Sequence, residues 1–347
     1  MTEQIIEDIK KEVSNTKKVR VAINGFGRIG RLIFRAGFND PNIEFVAIND
    51  LSGVETARYM LQYDSAQGSF PHKVSTKDDY LLVGDKQIKI LQEKDINNLP
   101  WYELNIDVVA ECTGKFKDRE QVDIHLKNGA KKVVISAPGS GDVFYLVRGV
   151  NDYQYKDEYK VVSNGSCTTN SMSSIINEVN NKFGIKKGMF ATIHSYTGDQ
   201  RVVDTGHSNL RRGRAAAQNI IPTSTGAAKA VIKLIPQLEG KLHGIAYRVP
   251  TITGSVTDIN IELERETTTQ EINDFLKEIC SKQLYGIMEY NEDELVSSDI
   301  IGNTHSGIID AKSTKVISGN LLKLVIWYDN EFGFSNRMIE VIKLIHK

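Results

Sequence analysis

A glycine-rich turn with the sequence GFGRIG, at residues 25–30, is the feature that most constrains how this chain folds. It follows KVRVAIN, an apolar segment typical of a buried strand, and precedes RLIFRAGF, whose apolar residues recur at helical spacing. The next segment, IEFVAIND, has the pattern of a second buried strand. A strand, a turn, a helix and a second strand form the repeating unit of a parallel sheet, so the sequence predicts such a sheet from residue 18 onward.

The same turn predicts a dinucleotide site. Glycines spaced as G-x-G-x-x-G permit a tight turn and let a pyrophosphate approach the first amides of the helix. Asp50 ends the second strand, where a carboxylate accepts hydrogen bonds from the ribose hydroxyls of NAD and repels the 2′-phosphate of NADP. The alternative is a turn that only lets the helix pack on the strand. The predicted NAD-binding residues here are Gly25, Phe26, Gly27, Arg28, Ile29, Gly30 and Asp50.

The length of 347 residues predicts two domains with a cleft between them. Residues 1–17 form an N-terminal extension, and residues 18–166 alternate strands and helices as in a Rossmann-type, doubly wound, mostly parallel sheet. The C-terminal segment 332–347 is an amphipathic helix that we assign to this NAD-binding domain. Residues 167–331 open with a helix and continue with long alternating strands, which predicts an α+β catalytic domain with a mixed or antiparallel sheet.

Charge and composition exclude several classes of protein. The formal net charge of −1, from 43 Lys+Arg and 44 Asp+Glu, argues against a primary role in binding nucleic acid or a membrane surface. The longest apolar stretches are well short of the roughly 20 residues that span a bilayer, and the N-terminus has no apolar signal core. Three scattered cysteines without CxxC spacing predict no disulfide and no metal. We therefore expect a cytoplasmic protein.

Cys167 and His194 are the candidate catalytic residues. Cys167, in SNGSCTTN, begins the predicted helix, whose N-terminus supplies unpaired N–H groups and a partial positive charge that lower a thiol pKa. His194, in GMFATIHSYTGDQ, lies on the next strand-like segment, where a base can face the thiol. The alternatives are a buried free thiol and a histidine without a catalytic role.

Six segments carry a resemblance to a known family. NGFGRIGR, SNGSCTTN, TIHSYTGDQ, NIIPTSTGAAKA, YRVPT and WYDNE occur in the order found in glyceraldehyde-3-phosphate dehydrogenases, and the chain resembles that family from about Lys18 to its end. The resemblance implies a homotetramer that oxidises D-glyceraldehyde 3-phosphate to 1,3-bisphosphoglycerate with NAD and inorganic phosphate. By the same resemblance, Cys167 carries a thioester and His194 activates the thiol and stabilises the oxyanion.

The resemblance also implies further binding residues. Residues of the inorganic phosphate site would be Ser166, Thr168, Thr225 and Gly226, and those around the substrate phosphate would be Thr197, Asp199, Arg212 and Arg248. Further cofactor contacts would be Thr113, Gly114 and Ser136 on loops of the pocket and Asn330 on the nicotinamide carboxamide. Thr205-Gly206 departs from the family, in which a proline commonly occupies the second position and helps to exclude NADP. We therefore expect a preference for NAD with some tolerance of NADP.

Three other functions fit part of the pattern. An erythrose-4-phosphate dehydrogenase resembles this chain but releases an acid by hydrolysis, whereas Thr168, Thr225 and Arg248 favour phosphate as the attacking group. A redox-sensing or binding protein on the same fold would have lost the chemistry, yet every catalytic position that can be matched is filled. A Cys/His hydrolase explains Cys167 and His194 but leaves the dinucleotide unit unused.

Overall fold

The computed structural model describes residues 18–346. Two β-sheets and seven α-helices dominate this part of the chain. The predicted extension, residues 1–17, lies outside the described residues. Within them, no helix has the length and apolar character needed to cross a bilayer. No group of three or more His, Cys, Asp or Glu side chains in this range could hold a metal ion.

The first sheet has nine strands. They are β1 (Val19–Asn24), β2 (Ile43–Asn49), β3 (Val74–Lys77), β4 (Tyr80–Val83), β5 (Lys86–Leu91), β6 (Val108–Glu111), β7 (Lys132–Ile135), β8 (Phe144–Tyr145) and β9 (Val161–Ser163). Their spatial order is β3-β4-β5-β2-β1-β6-β7-β9-β8. All pairs from β5 to β8 are parallel, and β3, β4 and β5 form an antiparallel edge that the sequence analysis did not predict.

Helices cover this sheet on both faces, which explains why β6 and β7 are buried at every residue. Three helices follow strands of the sheet: α1 (Arg28–Gly37), α2 (Val54–Gln62) and α3 (Arg119–Lys127). The last helix of the chain, α7 (Phe332–His346), packs against α1 and against β1, β6 and β7. Its buried residues include Met338 and Ile342, which join the core beneath the first sheet.

The second sheet has eight strands. They are β10 (Ile185–Ser195), β11 (Ile221–Ser224), β12 (Leu242–Val249), β13 (Ser255–Leu263), β14 (Met288–Asn291), β15 (Gly307–Asp310), β16 (Lys315–Ile317) and β17 (Leu321–Tyr328). Their order is β11-β12-β10-β13-β17-β15-β14, and β16 pairs with β17. Only β10–β12 and β14–β15 are parallel among these pairs. The predicted fold class, a mostly parallel sheet followed by a mixed sheet, is confirmed.

Three helices pack on one face of the second sheet and form its core: α4 (Cys167–Phe183), α5 (Ala227–Leu234) and α6 (Thr269–Ser281). Buried residues alternate with partly buried or exposed ones along β13, as expected when one face is covered. The helix α4 starts immediately after β9, so the chain passes from the first sheet to the second at residues 164–166. This crossing places the N-terminus of α4 close to the carboxyl ends of the parallel strands.

The packing of α7 predicts a stability effect. Ile342 is fully buried beneath the first sheet, so Ile342→Ala should lower the free energy of unfolding by about 2–5 kcal/mol, and Ile342→Val by only about 0.5–1.5 kcal/mol. Urea denaturation followed by circular dichroism measures both. An unchanged unfolding midpoint for Ile342→Ala would contradict the packing of this helix.

Candidate active site

Close backbone contacts explain the glycines of the turn after β1. Gly25 has a φ of +95°, and a Cβ there would lie 2.7 Å from the backbone nitrogen of Thr113. A Cβ on Gly30 would lie 2.2 Å from the carbonyl oxygen of Gly25. Gly27 caps α1 without a side-chain hydrogen bond, and the space around it is open. The first amides of α1 are therefore available to an anion.

Asp50 ties this turn to the end of β2. Its Oδ2 accepts a hydrogen bond from the amide of Phe26 at 2.8 Å, and its Oδ1 accepts from the amide and hydroxyl of Ser52. A cleft of about 320 Å³ opens here, at the carboxyl edge of the first sheet. Its lining includes Gly25, Gly27, Asp50 and Thr113, together with Asn24, Asn49, Leu51, Glu93, Lys94, Ile96, Cys112, Lys115 and Phe116. The free amides, the glycine surface and the carboxylate fit an NAD molecule.

Other predicted cofactor residues do not line this cleft. Phe26 is buried and packs edge-on against Phe34. Ile29 packs on the same core. The guanidinium of Arg28 is held by Asp64 and Glu331. Gly30 packs against the carbonyl oxygen of Gly25 in the turn. Gly114 is a turn residue with a φ of +67°. Ser136 donates its amide to the carbonyl oxygen of Glu111.

Asn330 is fixed by its side-chain oxygen. Its Oδ1 accepts hydrogen bonds from the hydroxyls of Ser195 and Ser255, each at 2.9 Å, and from the amide of Gly254 at 3.1 Å. With the oxygen satisfied in this way, the amide is oriented and its Nδ2 has no hydrogen-bond partner among residues 18–346. A carboxamide oxygen is the kind of group that this free donor can bind.

The predicted thiol and imidazole meet. Cys167 begins α4 and His194 lies near the end of β10, and their Sγ and Nε2 atoms are 3.4 Å apart. Nδ1 of His194 lies 2.7 Å from the carbonyl oxygen of Ser195 and 2.7 Å from Nη1 of Arg248. The carbonyl favours the tautomer in which Nε2 accepts the thiol proton, and the guanidinium favours the tautomer in which Nε2 donates to a thiolate. In the first of these forms Nε2 is a free acceptor, so the imidazole can act as a base toward the thiol.

Burial opposes charge at both groups. It lowers the pKa of His194 to about 3, and the nearby Arg248 guanidinium acts in the same direction. Burial also raises the pKa of the Cys167 thiol, while Arg248 and the amide of Thr168 act to lower it. The helix N-terminus lowers the thiol pKa, as expected, but burial raises that pKa more strongly. The charge of Arg248 is therefore the main local influence that favours a thiolate.

The two predicted arginines have different partners. Arg212 bonds Asp199 at 2.6 Å, the hydroxyl of Thr223 at 3.0 Å and the Ser224 carbonyl oxygen at 3.2 Å. Arg248 donates to the Ser195 carbonyl at 3.0 Å, and its buried Nε has no partner among the described residues. An unpaired buried N–H next to a nucleophile is a fitting donor for a phosphate oxygen.

The predicted hydroxyls of the inorganic phosphate site have internal partners. Ser166 caps α4 by accepting the amide of Thr169 at 3.1 Å, and the hydroxyls of Thr168 and Tyr328 are 3.0 Å apart. The Thr225 hydroxyl accepts the amide of Ala227 at 3.2 Å and retains its own proton for a ligand. Gly226 caps α5 without a side-chain bond. Thr197 donates its amide to the side chain of Gln200.

Sequence reasoning missed four residues of this site: Tyr328, Ser195, Ser255 and Thr223. The Tyr328 ring meets the His194 ring edge-on at 5.9 Å, and burial raises the pKa of its hydroxyl to about 12, with the Cys167 thiolate as the second cause. Ser195 touches His194 through its carbonyl and Asn330 through its hydroxyl. Two of them could have been found from their place in the sequence, because Ser195 directly follows His194 and Tyr328 lies two residues before Asn330.

Two family models match most of the described chain, and both describe domains of one enzyme. Residues 19–119 match the glyceraldehyde 3-phosphate dehydrogenase NAD binding domain, and residues 166–330 match the C-terminal domain of the same enzyme. NAD is therefore the cofactor of this chain.

Curated relatives named glyceraldehyde-3-phosphate dehydrogenase are similar over nearly the full length. The one from Thermotoga maritima is 51% identical over 94% of this chain and 99% of its own length. The one from Geobacillus stearothermophilus is 48% identical over 94% and 98%. A third, glyceraldehyde-3-phosphate dehydrogenase 3 of Saccharomyces cerevisiae, is 46% identical over 95% and 99%. The chain belongs to the glyceraldehyde-3-phosphate dehydrogenase family of NAD-dependent oxidoreductases.

Proposed function

We propose that the chain oxidises D-glyceraldehyde 3-phosphate to 1,3-bisphosphoglycerate with NAD and inorganic phosphate. The observation that supports this most strongly is the 3.4 Å contact between Cys167 and His194, next to a guanidinium with an unpaired N–H. A thiol, a base and an anion site in one place suit the oxidation of a phosphorylated aldehyde through a thioester.

In the proposed reaction, His194 accepts the thiol proton through Nε2 while the Cys167 sulfur forms a bond to the aldehyde carbon. The proton then neutralises the oxygen of the resulting hemithioacetal. His194 later removes that proton, the carbonyl re-forms, and the hydrogen on carbon leaves with its electron pair. NAD, when bound, supplies the acceptor for this hydride. The product on Cys167 is a thioester.

Phosphate then completes the reaction. A phosphate oxygen attacks the thioester carbon, the C–S bond breaks, and the Cys167 thiolate leaves with an acyl phosphate as the product. We assign Thr197, Asp199, Arg212 and Arg248 to the surroundings of the substrate phosphate, and Ser166, Thr168, Thr225 and Gly226 to the inorganic phosphate. Because Ser166 and Thr168 bond to neighbours, we expect Thr225 and the backbone amides to provide more of the inorganic phosphate site.

The wider assignments follow the same proposal. We divide the chain into an NAD-binding domain, residues 18–166 with 332–347, and a catalytic domain, residues 167–331, because α7 packs on the first sheet and α4 on the second. We propose a homotetramer in the cytoplasm. Exposed apolar side chains in the segment between β10 and β11, among them Val202 and Leu210, support association of the subunits.

One assay tests the proposed activity. Wild-type protein with glyceraldehyde 3-phosphate, NAD and phosphate should reduce NAD, and Cys167→Ser should lose this reaction while still binding NAD. Turnover with no dependence on phosphate would favour hydrolysis of the thioester, as in an erythrose-4-phosphate dehydrogenase. No NAD reduction by the wild type would refute the proposal.

Removing the charge of Arg248 should make the thiol less reactive near neutral pH. Because that guanidinium lowers the pKa of Cys167, Arg248→Gln should raise it and move the alkylation profile toward higher pH. The measurement is the rate of iodoacetamide modification of Cys167 against pH. Arg211→Gln is the matched control, since Arg211 is exposed on the same segment as Arg212. Superimposable profiles for wild type and Arg248→Gln would refute the electrostatic role.

Asp50 should set the choice of cofactor. Replacing this carboxylate by Asp50→Asn removes a charge that repels a 2′-phosphate, so the ratio of kcat/KM for NAD over NADP should fall by at least about tenfold. The KM for the aldehyde should stay at its wild-type value, because Asp50 lies on the first sheet. Comparable kcat/KM for both cofactors in the wild type would show that the NAD preference itself is wrong.

A further inference from the structure

A buried carboxylate lies beneath the cofactor cleft, and the reaction described above does not use it. Glu111 ends β6 and is only 1% exposed. Its Oε1 accepts the amide of Thr113 at 2.8 Å and the hydroxyl of Thr113 at 2.5 Å. Its Oε2 accepts Nδ2 of Asn24 at 2.6 Å and lies 3.1 Å from Nε2 of His125. Four donors thus surround one carboxylate.

The tautomer of His125 follows from its other neighbour. Indole Nε1 of Trp101 lies 3.0 Å from Nδ1 of His125, and an indole N–H can only donate. Nδ1 is therefore the acceptor, and Nε2 carries the proton that His125 donates to Glu111. Trp101 and His125 are both fully buried, so this orientation is fixed by packing as well.

From Asn24, at the end of β1, the hydrogen bonds continue to Asn49 at the end of β2. Asn49 Nδ2 donates to Asn24 Oδ1 at 2.8 Å, and the amide of Glu93 donates to Asn49 Oδ1 at 2.9 Å. The series therefore joins the carboxyl ends of β6, β1 and β2 to the loop after β5. Its members Asn24, Asn49, Glu93 and Thr113 all line the cofactor cleft.

Through Thr113 the series reaches the glycine turn. The backbone of Thr113 is so close to Gly25 that a Cβ on that glycine would lie 2.7 Å from its nitrogen. A shift of Thr113 would therefore displace the turn that binds the pyrophosphate. A glutamine at position 111 would have one acceptor oxygen and one NH₂ group in place of two acceptor oxygens. Its NH₂ group would face either the donors of Thr113 or those of Asn24 and His125, and these would lose their acceptor.

We infer that Glu111 is a positioning residue for NAD, which fixes the Thr113 turn and through it the Gly25 turn, and that His125 orients Glu111. This inference deepens the proposed function at the cofactor cleft. Glu111 acts through Thr113 and Asn24, so its substitution should weaken NAD binding while leaving the chemistry on Cys167 intact.

The test is NAD affinity by isothermal titration calorimetry, with kcat measured at saturating NAD. Glu111→Gln should raise the Kd for NAD by about tenfold or more, since a hydrogen bond to a charged group is lost. Its kcat at saturating NAD and its KM for the aldehyde should stay within about threefold of wild type, the shift that a difference of roughly 0.65 kcal/mol would give.

Asp107→Asn is the matched control. Asp107 directly precedes the same strand, is 1% exposed, and accepts the amide of Arg20 at 3.0 Å and the Lys131 ammonium at 2.6 Å. It lies at the opposite end of β6 from the cleft, so Asp107→Asn should leave the Kd for NAD unchanged. Wild-type affinity in Glu111→Gln, or an equal loss in Asp107→Asn, would overturn the inference.

If Glu111→Gln does not fold, a second pair of variants tests the same inference. His125→Leu removes the donor to Glu111 and should weaken NAD binding, and His125→Gln restores a donor N–H and should recover much of the affinity. Equal affinities in this pair would also overturn the inference. Calorimetry detects NAD binding without turnover. A change in NAD affinity can therefore be measured even if the proposed reaction is wrong.

Discussion

The catalytic arrangement depends on where α4 begins. The chain leaves the first sheet at the end of β9 and enters α4 after three residues, Asn164, Gly165 and Ser166. Ser166 caps the helix and Gly165 has a φ of +67°, so the crossing is short and fixed. As a result, Cys167 is held between the sheet that carries the cofactor cleft and β10, which carries His194. A longer or looser crossing would separate the thiol from one of them.

The sequence was sufficient for the fold class, for the turn that Asp50 joins to β2, and for the contact between Cys167 and His194. The glycine turn, Asp50, Cys167 and His194 have patterns tied to local structure: a strand that ends at a glycine, a helix that begins at a cysteine, a histidine on the returning strand. The antiparallel edge at residues 74–91 was not predicted, because strands of 4, 4 and 6 residues are too short to give a clear periodic signal.

Side-chain partners were harder to predict than positions. Arg28 is a predicted NAD-binding residue of the turn, and its guanidinium is held by Asp64 and Glu331. Glu331 is far away in sequence and joins Arg28 only because α7 returns to the first sheet. Thr168 likewise bonds to Tyr328, 160 positions later. Such pairs depend on how distant helices and strands pack together, which a single sequence does not reveal.

The same long-range pairs determine how the cleft binds an anion. Because two carboxylates hold the Arg28 guanidinium, this side chain is not free to pair with a phosphate at the glycine turn. The available donors are the first amides of α1, which carry partial charges and have fixed directions. The turn therefore depends on the directions of these amides, and a small displacement of the turn moves several donors at once. For this reason a buried acceptor such as Glu111 can influence the cleft through Thr113 and Asn24, which line it.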